Sequence, residues 1–273
     1  MRGEFVDVGG GRLYYYAAGT RGAGDPVVFL HGFPSSSRLW HGVIRDFPPG
    51  HRLVVVDLPG YGRSDPGVGD GSCTGLADTV RALLEDLRIP RATLVGHGLG
   101  GGVAQAVAVA DPARVAHLAL IDSAAFGLPP RGLARLARAL GPAARLMPPG
   151  LLAGLVQGSV RRGFADADRH RLTIDTWLQP FTTARGRDLL AAHLRLLGRC
   201  DTGSVTPRLA GLGIPTAILW GADDPWYPSA IAERLARLVP GARLEIVAGA
   251  GHFLPEDAPE RVLAALTTLV RTD

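Results

Sequence analysis

Short apolar runs alternate along this chain with stretches of helical period. Residues 26–30, 53–56, 93–95, 115–121, 216–220 and 244–247 are apolar runs rich in valine, isoleucine and leucine. They are too short for helices and predict buried strands. Residues 12–18, with three tyrosines, predict an earlier strand, and 75–87 carries helical spacing. An Ala/Val-rich helix is predicted from about residue 99 to Asp111-Pro112. This alternation predicts an α/β fold, a mostly parallel sheet covered by helices on both faces. Between Ser123 and about Thr206 the strand rhythm stops, and 131–146, 150–163, 169–179 and 186–199 read as helices. The expected division is a core segment 1–123, an inserted helical cap 124–206, and a second core segment 207–273.

Chemistry in such sheets gathers at the carboxyl ends of the strands. Five of the predicted strands end in polar or glycine-rich motifs, which places all five on one edge. They are His31-Gly32-Phe33-Pro34, Asp57-Leu58-Pro59-Gly60-Tyr61-Gly62, Gly96-His97-Gly98, Gly221-Ala222-Asp223-Asp224-Pro225 and Gly249-Ala250-Gly251-His252. The central one joins a strand to a helix through a sharp turn, the setting of the nucleophile elbow G-x-S-x-G. Its flanking glycines, Gly96 and Gly100, are present; at the nucleophile position stands Gly98, which has no side chain.

These motifs, in this order, resemble those of the α/β-hydrolase superfamily over nearly all of the chain outside the cap. H-G-F-P at 31–34 is similar to the family's oxyanion loop, G-H-G-L-G-G at 96–101 to its elbow, and G-A-D-D-P at 221–225 and G-H-F at 251–253 to its acid and histidine segments. The resemblance implies an α/β-hydrolase fold with His252 as general base and Asp224 as the carboxylate that orients it. Asp223 and Asp122 are the alternative acids. It also implies an oxyanion hole from the backbone N–H groups of Phe33 and Leu99, neither of which needs a side chain at 98. His31 and His97 are expected to be structural. Phe33, Trp40, Leu99, Phe126, Trp177 and Phe181 are candidate substrate-binding walls of a pocket between elbow and cap.

Gly98 changes what this machinery can do, because no acyl- or alkyl-enzyme can form at a residue without a side chain. The first expectation is non-covalent general-base and oxyanion-hole chemistry on a medium-sized apolar, aromatic or polyketide-like substrate, as in a lyase, a cyclase or a carbon–carbon bond-forming enzyme. The second is a serine hydrolase, less readily an aspartate one, whose nucleophile has been replaced by glycine. The third is a non-catalytic ligand-binding pseudoenzyme. Aspartate-nucleophile subfamilies fit less well, since Leu99 follows the elbow position and all five tyrosines (14, 15, 16, 61, 227) lie outside the cap.

Composition narrows the remaining classes. All 29 basic residues are arginine, and the net charge of +4 is too mild and scattered to predict a nucleic-acid partner. The cap concentrates arginines, which read as a solvated face or, for one or two of them, as anchors for an anionic or phenolic substrate. Two cysteines, Cys73 and Cys200, give no metal or disulfide framework and are compatible with a reducing compartment. The N-terminus lacks the pattern of a signal peptide. The uncharged run at 92–110 is long enough to imitate a membrane span, but its clustered glycines and His97 predict a strand–turn–helix instead. Cofactors and metals are not expected: G-H-G-L-G-G mimics a dinucleotide turn but lies late in the chain. The expected partner is a small-molecule substrate, without nucleic acid or membrane; the expected compartment is the cytoplasm, and a homodimer is allowed.

Overall fold

A computed structural model describes residues 3–19, 22, 24–66, 70–141, 143–197 and 202–271. Eight strands form one sheet: β1 (Gly3–Asp7), β2 (Arg12–Gly19), β3 (Val27–Leu30), β4 (Arg52–Val56), β5 (Ala92–His97), β6 (Val115–Ile121), β7 (Thr216–Gly221) and β8 (Arg243–Val247). Their spatial order is β1-β2-β4-β3-β5-β6-β7-β8. β2 runs antiparallel to β1 and to β4, and all later pairings are parallel. The fold is therefore the α/β architecture expected from the strand–helix rhythm. β3, β5 and β6 are buried along their whole length, which is why they read as unbroken apolar runs rather than alternating ones. β1 was not legible in the sequence, because Phe5 and the charged residues around it are largely exposed and only Val6 is buried.

The helices of the first core segment are α1 (His41–Ile44), α2 (Cys73–Asp86) and α3 (Leu99–Ala110). Four more lie between β6 and β7: α4 (Leu133–Leu140), α5 (Pro149–Arg161), α6 (Arg171–Leu178) and α7 (Ala184–Leu196). α8 (Ala230–Leu238), α9 (Leu254–Asp257) and α10 (Pro259–Leu269) complete the chain. α4 is shorter than the 131–146 read from periodicity, ending before Gly141-Pro142, where glycine and proline both oppose a helix. Among the described residues no helix is long and apolar enough to cross a membrane. Cys73, at the first position of α2, is disulfide-bonded, which corrects the expectation from cysteine number; spacing along a sequence does not report how close two thiols lie in space. Cys200 lies outside the described residues.

The helical insertion leaves and re-enters the core through one buried polar network. Phe126 N–H donates to Thr206 Oγ1 at 3.0 Å and Gly127 N–H to Thr202 Oγ1 at 2.9 Å, so the two ends of the insertion are tied to each other. Thr206 in turn donates to Gln105 Oε1 at 2.6 Å, and Gln105 Nε2 donates to Ser123 Oγ at 3.0 Å and Ala124 O at 2.7 Å. Gln105 is fully buried on α3, the helix that begins at the elbow. Removing its amide leaves buried partners unpaired, so Gln105→Leu is expected to cost about 1–3 kcal/mol. The check is a urea unfolding curve; an unshifted midpoint would remove this network from the forces that seat the insertion.

Candidate active site

Gly98 stands between β5 and α3 with φ 53° and ψ −117°. That backbone is strained for any residue with a Cβ and nearly free for glycine. Its neighbours in the turn are glycines because the strand and helix approach too closely for side chains. A Cβ on Gly100 would collide with the carbonyl oxygens of Leu30 and His31, and one on Gly96 with that of Gly100. The turn therefore has a sharp strand-to-helix shape with glycine at its centre.

His252 faces this turn. A Cβ built on Gly98 would stand 3.3 Å from His252 Nε2 and 3.6 Å from Gly32 Cα. On its other side the His252 Nδ1–H donates to Asp224 Oδ2 at 2.8 Å, which leaves the Nε2 lone pair pointing at the elbow. Asp224 Oδ1 accepts from the backbone N–H groups of Trp226 (2.7 Å) and Tyr227 (3.0 Å), so both oxygens are oriented. The pair is buried, with side-chain exposures of 2% and 0%. The His252 loop is held from behind by His97, whose Nε2–H donates to His252 O at 2.8 Å. It is also held by Phe253, which stacks on Phe164 of the insertion at 4.5 Å.

Of the alternative acids, Asp223 is exposed and its side chain takes no part. Asp122 is fully buried and accepts from Gly221 N–H at 2.8 Å. Burial, with the Asp224 carboxylate beside it, raises the Asp122 pKa well above the usual carboxylate value, which opposes the charge needed to balance an imidazolium. Asp224 is thus the carboxylate that the structure brings to His252. His31 bridges its two loops: its Nδ1–H donates to Gly32 O at 2.9 Å and its Nε2 accepts from Leu58 N–H at 3.0 Å. The backbone N–H groups of Phe33 and Leu99 make no hydrogen bond among the described residues and flank the same cavity.

That cavity has a volume of about 240 Å³ and is bounded by Gly98, Leu99, Phe33, Tyr61, His193, Trp226 and leucines of α2, α4 and α7. Of the six walls read from the sequence, Phe33 and Leu99 line this cavity and the other four lie elsewhere. Trp40 is fully buried against Phe29, at 5.2 Å between rings. Phe126 lies under the Arg234 guanidinium at 3.9 Å. Trp177 and Phe181 line a second, neighbouring chamber. Aromatic type alone does not say which face of a loop or helix an aromatic ring occupies. The missed walls had weak signals: Tyr61 and Trp226 sit inside or just after motifs, and His193 has none. His193 stacks on Tyr61 at 4.0 Å with an interplanar angle of 8°, and burial lowers its pKa to about 3, so it is a neutral wall. None of the described cap arginines reaches this cavity, and several pair with surface aspartates, as in Arg161–Asp168 and Arg187–Asp188. Groups of histidine, cysteine and carboxylate residues able to hold a metal are absent among the described residues.

The profile of the alpha/beta hydrolase fold matches residues 25–259. The chain belongs to this family. An uncharacterized protein of Mycobacterium tuberculosis is 30% identical over 95% of this chain and 78% of that protein. A 2-hydroxy-6-oxononadienedioate/2-hydroxy-6-oxononatrienedioate hydrolase of Paraburkholderia xenovorans is 28% identical over 92% of this chain and 87% of that protein. A thermophilic esterase from Thermogutta terrifontis shares the fold with a TM-score of 0.79 and 28% identity, over 96% of this chain and 93% of that one.

Proposed function

We propose that this α/β-hydrolase-fold chain hydrolyses small carboxylic esters with an apolar acyl or aryl part, using water activated directly by His252 rather than an enzyme nucleophile. The observation that carries the reading is the His252 Nε2 lone pair aimed at the vacant elbow position, 3.3 Å from where a Cβ would stand. In the step, water attacks the ester carbonyl carbon while Nε2 takes its proton. The carbonyl oxygen gains negative charge and is held by the Phe33 and Leu99 N–H groups. Collapse of the tetrahedral species expels the alkoxide, which leaves with the proton from the His252 imidazolium. Asp224 stabilises that cation throughout. The insertion acts as the cap that closes the cavity over the ester, excluding bulk water and strengthening each of these charge interactions.

Relatives named as a hydrolase and an esterase support hydrolysis over the lyase, cyclase and carbon–carbon bond-forming readings. An intact, oriented His252–Asp224 pair supports an enzyme over a ligand-binding pseudoenzyme. The test is turnover of p-nitrophenyl butyrate followed by stopped flow and intact-protein mass. Release above the buffer rate, without a burst and without an acylated protein mass, is expected. A burst with stoichiometric acylation would sink the water route, and no turnover of this or longer p-nitrophenyl esters would sink hydrolysis.

A further inference from the structure

A second chamber of about 440 Å³ opens between the core loops and the helical insertion, on the far side of Gly60 and Leu189 from the catalytic cavity. The same two loops build both spaces. In the loop after β3, Phe33 faces the catalytic cavity while Pro34 to Arg38 face the second chamber. In the loop after β4, Tyr61 faces the cavity while Gly62 and Arg63 face the chamber. Phe181 of the insertion lines the chamber and meets His193 of the cavity edge-on at 5.9 Å, and Gly60 and Leu189 line both spaces, so the two are adjacent.

The chamber differs from the cavity in its charge. Arg38 and Arg63 line it, and neither guanidinium pairs with a carboxylate among the described residues. Among the described residues the Arg63 guanidinium engages the Tyr14 ring and donates to its hydroxyl at 3.2 Å. Of the described lining residues one is acidic, Asp57, and its oxygens are taken by the backbone N–H groups of Ser37 (2.7 Å) and Arg63 (2.9 Å). His41 also faces the chamber; burial and the nearby Arg38 cation lower its pKa, so the positive charge there rests on the two arginines. Two unpaired guanidiniums in one concavity attract an anion and offer it charge-assisted, fork-shaped hydrogen bonding. The sequence placed such arginines in the cap; the structure places them on core loops.

We infer that this chamber is a carboxylate-binding site, with Arg38 and Arg63 as its anion ligands, beside and separate from the ester-hydrolysing cavity. The carboxylate belongs either to the far end of the enzyme's own substrate or to a free small acid, and the recognition chemistry is the same for both.

Isothermal titration of the wild-type protein with succinate, and with neutral succinamide as control, tests the site without reference to catalysis. Succinate is expected to bind and succinamide not, with succinate weakened at least about ten-fold in Arg38→Gln/Arg63→Gln and by added salt. Arg38→Gln alone, on an exposed side chain, is expected to give a smaller loss in the same direction and carries the test if the double variant fails to fold. Absence of succinate binding, equal binding of succinamide, or affinity indifferent to both substitutions overturns the inference. A second arm distinguishes the two sources, using the nucleophile-bearing Gly98→Ser variant on p-nitrophenyl hemisuberate and its uncharged isostere p-nitrophenyl octanoate. A preference for the hemisuberate that vanishes without the arginines assigns the site to the substrate's own carboxylate. Lost succinate binding with an unchanged preference assigns it to a free acid. An inactive Gly98→Ser variant would count against the hydrolytic reading, with the titration still deciding the site.

Discussion

Gly98→Ser raises kcat/KM for p-nitrophenyl butyrate by about 1,000-fold and introduces a burst of p-nitrophenol with acylation at residue 98. The scaffold is already arranged for this. A Cβ at 98 meets nothing closer than His252 Nε2 at 3.3 Å, and the imidazole needs to yield by only a few tenths of an ångström. The hydroxyl, one bond further out, falls within hydrogen-bond reach of Nε2. Bound water must be positioned at an entropic cost that a tethered hydroxyl avoids, which is the source of the gain. The same substitution forces a side chain onto a backbone with φ 53° and ψ −117°, a strain of about 1–3 kcal/mol. Activity is therefore expected to rise while the unfolding midpoint falls. A natively folded Gly98→Ser protein with no gain in esterase activity would show that the His252–Asp224 pair is not assembled for acyl transfer.

Asp224→Asn in the Gly98→Ser background lowers kcat by about 10,000-fold, with little change in KM. The atoms explain the size of the effect. An asparagine can keep its oxygen on the N–H groups of Trp226 and Tyr227, where Asp224 Oδ1 now sits, and must then turn its NH2 toward His252 Nδ1. The ring responds by carrying its proton on Nε2, which removes the lone pair aimed at residue 98. His252→Ala in the wild-type chain loses about 100- to 10,000-fold and falls to the buffer rate. Asp122→Asn, by contrast, is expected to leave kcat within about three-fold, because Asp122 accepts its hydrogen bond from Gly221 N–H, and it is Asp224 that pairs with His252. Parallel kinetics on the four variants check this. Comparable losses for Asp122→Asn and Asp224→Asn would mean that the two carboxyls share the role.

The strand ends and their motifs were legible in the sequence because each is a local event. An apolar run that stops at glycine or aspartate marks its own carboxyl end, and a parallel sheet brings such ends to one edge whatever the details of packing. This is why the segments holding Gly98, Asp224 and His252, far apart in the chain, could be placed on one edge, while the roles of the three residues came from the family resemblance. The choice between Asp224, Asp223 and Asp122 was not local. It turns on which carboxyl lies against His252 Nδ1 and which backbone N–H groups orient it, and both depend on the assembled fold.

The helical insertion shows the same boundary. Its four helices were readable from periodicity, since amphipathic spacing is a property of each segment alone. Which residues of those helices face the cavity depends on how α4 and α7 are set against the core, and no segment encodes that by itself. Hence Trp177 and Phe181 fell in the second chamber, Trp40 in the core, and His193 became a cavity wall. The strand–helix order, the glycine at 98 and the motifs around it follow from the chain read alone. Which carboxyl lies against His252, what lines the cavity and where Arg38 and Arg63 collect come from the assembled fold, because burial and side-chain facing are set by contacts between segments distant in the chain.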